Sequence, residues 1–563
     1  MLNSIPPFVI FYIGALFVAI TQGWIRRFIL LLTPVVTGLL LLNHEVGNNS
    51  TAIVQIQLFE YLLMPFRIDK LSMLFGYLFI LTALIGNIFS VHVKDTGQLV
   101  AGLVYSGSAL GAVFAGDLLT LFIFWEMLAI SSVVLIWARR TEVAIASGFR
   151  YLIIQVLSGV LLLSGTLIIC NQHETLVFDH IKLEGLGAWL IFIAFGIKCA
   201  FPLLHSWLTD AYPEATPTGS VFLSAFSTKV AVYALARAFA GTDILIEIGA
   251  VMTLFPVFYA IIENDLRRVL AYLMITQIGI MVIGIGIGTP LGINGAVAHM
   301  FIHVIYKSLL FMTMGVVLFS TGRSKISELG GLYKPLPQTA VLCIFGVLFL
   351  LFSGFISKAL VMHAAIETNH TTVWLILLCS AAGVFFASLK IPFYAFFASD
   401  PGIKTKAPPA NMLIAMYLST GLCIVLAMFP HSLYRLLPYP LDYWPYDLTH
   451  ILTHVELVCF ATLAFVWLQL TGLFPTPQAS IYLDVDWFYR KPLKVLIGWL
   501  RLVGHRLYNR FLSYLKLISL APNRWILSLL SINGPIERMP PSKITITTIL
   551  GIFALTLLIL MLP

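Results

Sequence analysis

Residues 299–312 read HMFIHVIYKSLLFM, a stretch apolar enough for the interior of a lipid bilayer. Three ionisable residues interrupt it, His299, His303 and Lys307, at spacings of i, i+4 and i+8. On a helix these side chains form one stripe about 12 Å long, because each residue adds about 1.5 Å. A charge at the bilayer centre costs at least about 2.5–3.5 kcal/mol, so such residues face a cavity or one another. The stretch therefore predicts a membrane helix surrounded by other membrane helices.

The whole chain has the composition of a membrane protein. Of its 563 residues, 60% are hydrophobic and 10% are charged, and the mean hydropathy is +0.96. In a soluble domain about a quarter of the residues are charged. We count about sixteen apolar segments near the length of about 20 residues that crosses a bilayer. The sequence thus predicts an all-α polytopic membrane protein, because a helix satisfies its own backbone hydrogen bonds in lipid.

Basic residues are distributed unevenly between the loops. If the N-terminus lies outside, the loops rich in lysine and arginine all fall on the cytoplasmic side, as the positive-inside rule expects. These residues are Arg26, Arg27, Lys94, Arg139, Arg140, Arg150, Arg267, Arg268, Arg323, Lys325, Lys334, Lys404 and Lys406. Because they are spread over successive loops, the net charge of +8 needs no nucleic-acid partner. We predict a multi-pass protein of a bacterial inner membrane, in contact with the lipid bilayer.

A carboxylate and a lysine interrupt two further apolar segments. Glu126 lies near the middle of DLLTLFIFWEMLAISSVVLIW, and Lys198 lies in AFGIKCAFPLLHSWLTDAYPEA, with Pro202 four residues later. A proline kinks or breaks a helix, and transporters place broken helices at their midplane sites. A buried lysine can gain and lose a proton. We interpret Glu126 and Lys198 as a coupled pair in a proton path. The alternative is a static salt bridge that holds two helices together.

Three more lysines lie inside apolar segments. Lys229 has small residues around it, and Lys358 and Lys390 lie on consecutive segments. Lys198 and Lys229 are 31 residues apart, and Lys358 and Lys390 are 32 apart. This spacing suggests duplicated halves, which many transporters contain. Lys229 and Lys358 are proton-path candidates, and the further candidates are Lys390, Asp117 and Asp210.

The stripe of His299, His303 and Lys307 has two interpretations. A neutral imidazole can accept and pass a proton near physiological pH, so the stripe can conduct protons with water between its groups. Two histidines four residues apart can also bind zinc, but this helix has no carboxylate partner for them. We favour proton conduction and predict no metal site.

No sequence motif indicates a cofactor. The six cysteines form no C-x-x-C pair and are expected to be buried structural thiols. The chain contains no Walker A motif and no G-x-G-x-x-G after a strand. We therefore expect no bound cofactor and no ATP-driven or nicotinamide chemistry in this chain.

The C-terminal region differs from the rest. From residue 484 it becomes basic and amphipathic, DWFYRKPLKVLIGWLRLVGHRLYNRFLSYLKL, with tryptophan, leucine and phenylalanine between the charges. This composition is typical of a helix that lies along the cytoplasmic membrane interface, although a solvated linker is also possible. A last membrane span is predicted over residues 544–563.

Four motifs resemble one family of membrane subunits. LFIFWEML, GIKCAFPLLHSWLTDAYPEATPTGSVFLSAFSTKVAVYALAR, ENDLRRVLAYLMITQIG and HMFIHVIYKSLLFMTMG occur in this order. They resemble the antiporter-like family, which comprises the large subunits of multisubunit Na⁺/H⁺ (Mrp-type) antiporters and the proton-pumping subunits of respiratory complex I. The motif GFISKAL has a lysine where the complex I subunit has a glutamate. In this respect the chain resembles the D-type subunit of the Mrp antiporters more than the complex I subunit. WLTD and ATPTGS depart from the family pattern in the loop beside the broken helix.

The resemblance implies a fourteen-helix core with two inverted repeats of five helices, followed here by extra helices. It implies that Glu126 and Lys198 form the charge pair, that Lys229 links it to His299, His303 and Lys307, and that Lys358 is the exit-side lysine. It also implies no redox cofactor, and partners among the other membrane subunits of one complex. We divide the chain into N-terminal helices (1–95), first repeat (96–240), second repeat (241–400), C-terminal core helices (401–475), amphipathic extension (476–543) and terminal span (544–563).

The sequence leaves several functions open. The first is proton transport coupled to a monovalent cation, with Na⁺ expected. The second is proton pumping in an NADH-quinone oxidoreductase or another redox-coupled or bicarbonate-coupled complex. A lipid-linked transferase would have to use acidic residues such as Asp210 and Glu214, but the buried residues are mostly lysines, which suit protons better than Mg²⁺. A scaffolding subunit would leave the midplane charges unexplained.

Overall fold

The chain folds as a bundle of membrane helices. A computed structural model describes residues 5–44, 51–58, 61–173, 175–350, 352–474, 484–485, 487–488 and 491–518. Thirteen helical segments in these ranges are long and apolar enough to cross a membrane, and Pro7–Ile20 and Gly185–Cys199 are shorter apolar helices. The prediction of an all-α polytopic protein is confirmed.

The described elements run as follows. The first half contains α1 (Pro7–Ile20), α2 (Gly23–Leu42), β1 (Thr51–Leu58), β2 (Tyr61–Ile68), α3 (Lys70–Ser90), α4 (Thr96–Phe114), α5 (Leu118–Trp137), α6 (Glu142–His173), α7 (Gly185–Cys199), α8 (Ser206–Ala211), α9 (Gly219–Ala225) and α10 (Ser227–Ala238). The second half contains α11 (Ile244–Ile262), α12 (Leu266–Ile287), α13 (Pro290–Thr321), α14 (Pro337–Phe349), α15 (Phe352–Glu367), α16 (Thr371–Pro392), α17 (Ala410–Met428), α18 (Pro430–Tyr434) and α19 (Leu448–Leu470). Short 3-10 turns form at Tyr212–Glu214 and Ile326–Glu328, and a π turn at Phe393–Phe397.

Aspartate side chains cap the N-termini of four described membrane helices, α3, α4, α5 and α12. Asp69 accepts a hydrogen bond from the Ser72 amide at the start of α3, and Asp265 accepts from two amides at the start of α12. Asp117 does the same for α5, with Thr120 N 2.6 Å from its Oδ1. Such caps satisfy amides that a helix leaves unpaired at its N-terminus.

Three membrane segments are interrupted. α7 ends at Cys199 and α8 begins at Ser206, and between them Ala200 and Leu203 adopt positive φ of 65° and 69°. The predicted break after Lys198 is therefore confirmed. α14 and α15 are separated near residue 350, and α9 and α10 by Phe226 alone, at φ −106° and ψ −70°.

Residues 96–240 and 241–400 share one arrangement. Each range contains five membrane segments: α4, α5, α6, α7–α8 and α9–α10 in the first, and α11, α12, α13, α14–α15 and α16 in the second. In each range the fourth segment is broken and contains a lysine, Lys198 or Lys358. Because each range crosses the membrane five times, an odd number, the second range begins on the side of the membrane opposite to that on which the first begins. These features support the repeat boundaries, which stay a prediction.

The segment after α2 contains a β-hairpin. Thr51–Leu58 pairs antiparallel with Tyr61–Ile68. The β-branched residues of TAIVQIQL favour a strand, whereas the polar residues before them favour a loop. Gly116 N donates to Met64 O at 2.8 Å, so β2 contacts the start of α5.

α13, which contains the His299–Lys307 stripe, is buried along its length. In contrast, most of α6 and α19 is exposed and apolar, as expected for helices that face lipid. Among the cysteines, Cys199, Cys343 and Cys423 are buried, whereas Cys379 and Cys459 are exposed on such helices. The expectation of buried thiols is wrong for these two, because an apolar segment in a membrane can face lipid on one side.

The C-terminal region forms a separate unit from Leu483 onward. Its helix α20 (Pro492–Ile518) confirms a helix in the predicted amphipathic extension. The predicted span over residues 544–563 lies outside the described residues.

Candidate functional site

Glu126 and Lys198 lie near each other but do not form an ion pair. Lys198 Nζ donates to the Trp125 carbonyl at 3.1 Å and lies 4.5 Å from the centroid of the Trp125 ring. Glu126 Oε1 is buried without a hydrogen-bond partner among the described residues. The two charges still interact electrostatically. The structure therefore shows the predicted pair in an open arrangement, with the lysine bonded to the backbone.

Gly159 on α6 makes room for the Glu126 carboxylate. A Cβ atom added at Gly159 would lie 1.4 Å from Glu126 Oε1, far inside contact distance. Only glycine at this position allows the carboxylate to remain where it is.

We expect Gly159→Ala to reduce transport strongly without preventing folding. Alanine favours a helix by about 1 kcal/mol over glycine, but its methyl group must displace the carboxylate. The matched control is Gly421→Ala on α17, where an added Cβ meets nothing within 4 Å. The check is the initial transport rate per assembled protein. A Gly159→Ala rate equal to that of Gly421→Ala would contradict the assigned position of Glu126.

Lys229 is held at the break between α9 and α10. Its Nζ donates to Ser224 O at 2.7 Å and to Thr228 Oγ1 at 3.1 Å, and it lies 3.4 Å from Met274 Sδ. The ammonium group is fully buried and contacts no carboxylate in the described part of the chain. The side chains of His303 and Lys307 on α13 lie within electrostatic range of this ammonium group.

The stripe on α13 contains one bonded and two unbonded members. His299 Nδ1 lies 2.9 Å from Ser357 Oγ, and its Nε2 lies 3.1 Å from Gln277 Oε1. Both ring nitrogens of His303, and Lys307 Nζ, are buried without a hydrogen-bond partner in the described residues. Such atoms are costly to bury, which indicates that they are retained for function rather than for stability.

The predicted residues follow one another through the bundle. Cys199, next to Lys198, interacts electrostatically with Lys229, which in turn interacts with His303. The rings of His299 and His303 are 6.1 Å apart between centroids. Lys358, buried on α15 beyond the break near residue 350, interacts with both histidines. The structure thus brings together the seven main candidates: Glu126, Lys198, Lys229, His299, His303, Lys307 and Lys358.

The three further candidates make other contacts. Asp117 caps α5 and accepts from Met64 N at 2.7 Å. Asp210 accepts two hydrogen bonds from Arg150, at 2.7 and 3.0 Å. Lys390 donates to three carbonyls at the C-terminal end of α11, those of Ala260, Ile261 and Glu263.

We expect Lys390→Met to destabilise the protein. Three buried carbonyl groups would lose a partner, and an unmade buried hydrogen bond costs about 1–3 kcal/mol. A cation at a helix C-terminus also interacts favourably with the helix dipole. The check is the melting temperature of the purified protein, with Lys94→Met as a control on an exposed lysine. Equal melting temperatures for the two variants would contradict this structural role.

Sequence reasoning missed the residues that support the stripe. Gln277 accepts from His299 and from the Tyr306 hydroxyl, at 3.1 Å each, and Ser357 contacts the other side of the His299 ring. The sequence does contain one indication of this role, because Gln277 is a polar residue inside the apolar segment LMITQIGIM. Arg267 was also missed, and it donates to Pro213 O and Ala215 O after the broken helix. Within the described residues, no three His, Cys, Asp or Glu side chains lie close enough to hold a metal ion.

Comparison with known proteins identifies similar membrane subunits. Residues 115–384 match a family described as NADH:quinone oxidoreductase/Mrp antiporter, TM. The D subunit of the Na⁺/H⁺ antiporter of Alkalihalophilus pseudofirmus is 28% identical over 350 residues, which is 58% of this chain and 71% of that protein. The L subunit of the NADH-quinone oxidoreductase of Campylobacter jejuni is 29% identical over 357 residues, which is 59% of each chain.

A solved structure shows the same fold. A chain of the Mrp complex from Dietzia sp. superposes with a TM-score of 0.69 at 20% identity, covering 81% of this chain and 99% of that one. The chain is similar to the multi-pass membrane subunits of the antiporter-like family, and the matched region is residues 115–384. Its similarity extends both to an Mrp-type protein and to a complex I protein.

Proposed function

We propose that this chain is the proton-translocating membrane subunit of a multisubunit monovalent cation/H⁺ antiporter, similar to the D-type subunit of Mrp antiporters. The observation that supports this most is the continuous series of buried ionisable groups, in which His303 and Lys307 have no hydrogen-bond partner among the described residues. A structural core does not retain unpaired lysine and histidine, because their burial costs free energy.

In this proposal, protons move between neighbouring basic groups. Lys229 passes a proton to the stripe on α13, through Lys307 and His303, and Lys358 receives it from His299. Each transfer leaves one group neutral and the next charged, so only one excess proton is carried at a time. Water molecules bridge the gaps, since the ring centroids of the two histidines are 6.1 Å apart.

Glu126 supplies the charge that biases the first transfer. When its carboxylate approaches Lys198, attraction favours the charged lysine. When they separate, as in the structure, Lys198 Nζ has only the Trp125 carbonyl and the Trp125 ring as polar partners. The breaks beside Lys198 and Lys229 provide backbone that can move between two such arrangements. Other membrane subunits of one complex are the proposed partners, and Na⁺ is the expected cation.

The test is cation-driven proton movement in membranes. The gene and those of its neighbouring subunits are expressed together in antiporter-deficient cells, and everted vesicles are acidified without a continuing respiratory substrate. We expect added Na⁺, K⁺ or Li⁺ to dissipate the pH gradient, reported by recovery of a quenched dye. No response to any of the three cations would contradict the proposal.

The long amphipathic helix α20 favours a second candidate, a proton-pumping subunit of a redox-driven complex. It is similar to the lateral helix of the largest complex I pump subunit, and the shorter family members lack such an extension. In that case the same vesicles acidify on addition of NADH or a quinol, and the cations have no effect.

A further inference from the structure

A cluster of buried hydroxyl groups lies beside Lys229 and has no part in the path described so far. Tyr105 Oη donates to Ser227 Oγ at 2.7 Å, and the Ser227 amide donates to Tyr105 Oη at 3.0 Å. Tyr151 Oη and Ser132 Oγ are 2.7 Å apart. All four side chains are fully buried.

The cluster reaches the break in the segment that contains Lys229. Because Phe226 interrupts the helix, the Ser227 amide is free to bond Tyr105 rather than a carbonyl of α9. The next residue, Thr228, accepts a hydrogen bond from Lys229 Nζ at 3.1 Å. Ser227, the last residue of the cluster, is therefore the direct neighbour in sequence of Thr228, whose hydroxyl is hydrogen-bonded to Lys229 Nζ.

Tyr212 extends the cluster toward the cytoplasmic side. It lies in the Tyr212–Glu214 turn, where Glu214 forms an ion pair of 3.0 Å with the partly exposed Arg139 of a predicted cytoplasmic loop. Its ring packs 5.7 Å from that of Trp207, which lies 5.5 Å from the ring of Tyr151. Tyr212 Oη is buried without a hydrogen-bond partner in the described residues, although Tyr105 and Tyr151 are close enough to interact with it.

We infer that Tyr212, Tyr151, Ser132, Tyr105 and Ser227 form a hydroxyl relay that supplies protons from the cytoplasmic side to Lys229. The inference rests on the proposed function, because a relay has a role only if Lys229 transfers protons. Each oxygen accepts a proton from one neighbour while its own hydrogen passes to the next, so one proton moves and no group changes its charge. The hydroxyl groups then rotate back before the next transfer.

Tyr212→Phe is the most informative variant. It removes a hydroxyl that has no well-aligned hydrogen bond among the described residues, although Tyr105 is close to it, so a purely structural role predicts little change in stability and unchanged transport. The relay predicts that cation-driven proton movement by the complete complex falls at least about a hundredfold, the lower end of proton-transfer contributions. Tyr105→Phe and Tyr151→Phe are expected to show the same loss.

The matched control is Tyr12→Phe on α1. Tyr12 also forms a hydrogen bond with a serine hydroxyl, since its Oη lies 3.0 Å from Ser108 Oγ. In the amino-acid sequence, however, Tyr12 is far from the interrupted helices. Assembled complex is quantified for each variant, and rates are given per complex. If Tyr105→Phe fails to assemble, Tyr212→Phe still decides, because its hydroxyl has no well-aligned hydrogen bond among the described residues.

The outcomes separate the relay from the proposed function. An active wild type and control, with Tyr212→Phe slower by about a hundredfold, support the relay. A Tyr212→Phe variant as fast as an active wild type overturns the relay and leaves the proposed function intact. A wild type that moves no protons with any cation overturns the proposed function instead, and the relay falls with it.

Discussion

Glu126→Gln abolishes cation-driven proton exchange while the protein still assembles: this is the largest effect that we expect. Glutamine keeps the size of the side chain beside Gly159 but removes the negative charge that interacts with Lys198. Because Glu126 Oε1 makes no hydrogen bond in the described structure, the substitution breaks no hydrogen bond of that atom. The loss should reach at least about a hundredfold, the lower end of proton-transfer contributions, because the first transfer loses the charge that biases it.

The control for this variant is a carboxylate on another membrane helix. Glu247 lies in the first turn of α11 and is exposed, so Glu247→Gln changes the same charge away from the lysines. We expect it to exchange at the wild-type rate. The measurement is the initial rate of dye recovery in everted vesicles, divided by the amount of assembled complex. Wild-type exchange in Glu126→Gln vesicles would exclude Glu126 from the path.

The second large effect is expected for Lys307→Met. This substitution should abolish transport but leave the stability of the protein unchanged or higher. Lys307 Nζ is fully buried and has no hydrogen-bond partner among the described residues. Methionine has a similar length and no polar atom at its end, so it removes a desolvated amine at little cost in packing. Replacing buried ionic groups by apolar ones of similar size is often neutral or stabilising, by about 1–4 kcal/mol. Transport should fall to background because the stripe loses its link to Lys229.

The melting temperature distinguishes this account from a structural one. We expect Lys307→Met to melt at or above the wild-type temperature, while Lys390→Met melts below it because three carbonyls lose their donor. A lower melting temperature for Lys307→Met would assign Lys307 a structural role. Both variants remove one buried lysine, so the comparison isolates the effect of its partners.

Much of the fold follows from the sequence because a bilayer imposes simple rules. Apolar segments of bilayer length predicted the membrane helices, and Pro202, four residues after Lys198, predicted the break between α7 and α8. Buried charges in apolar segments predicted seven residues that the structure brings together. These signals are local in sequence and carry large free-energy costs, so tertiary packing does not override them.

The missed features depend on tertiary contacts. No local signal indicates that Lys198 bonds the Trp125 carbonyl instead of Glu126, since both acceptors lie on α5. Lys390 and Lys358 look alike in sequence, yet only Lys390 is close enough to the end of α11 to bond its carbonyls. The break at Phe226 has no proline to mark it, and Tyr105 compensates for it from α4. Such assignments require the positions of neighbouring helices.

The central claim is that protons cross this chain through its buried basic groups. The most direct test is simultaneous recording of internal pH and cation efflux in liposomes that contain the purified complex. With the wild type, we predict that a cation gradient drives protons in the opposite direction, and that both fluxes stop together in Lys307→Met. Continued proton flux in assembled Lys307→Met complexes would contradict the claim, because protons would then cross by a path that avoids the stripe.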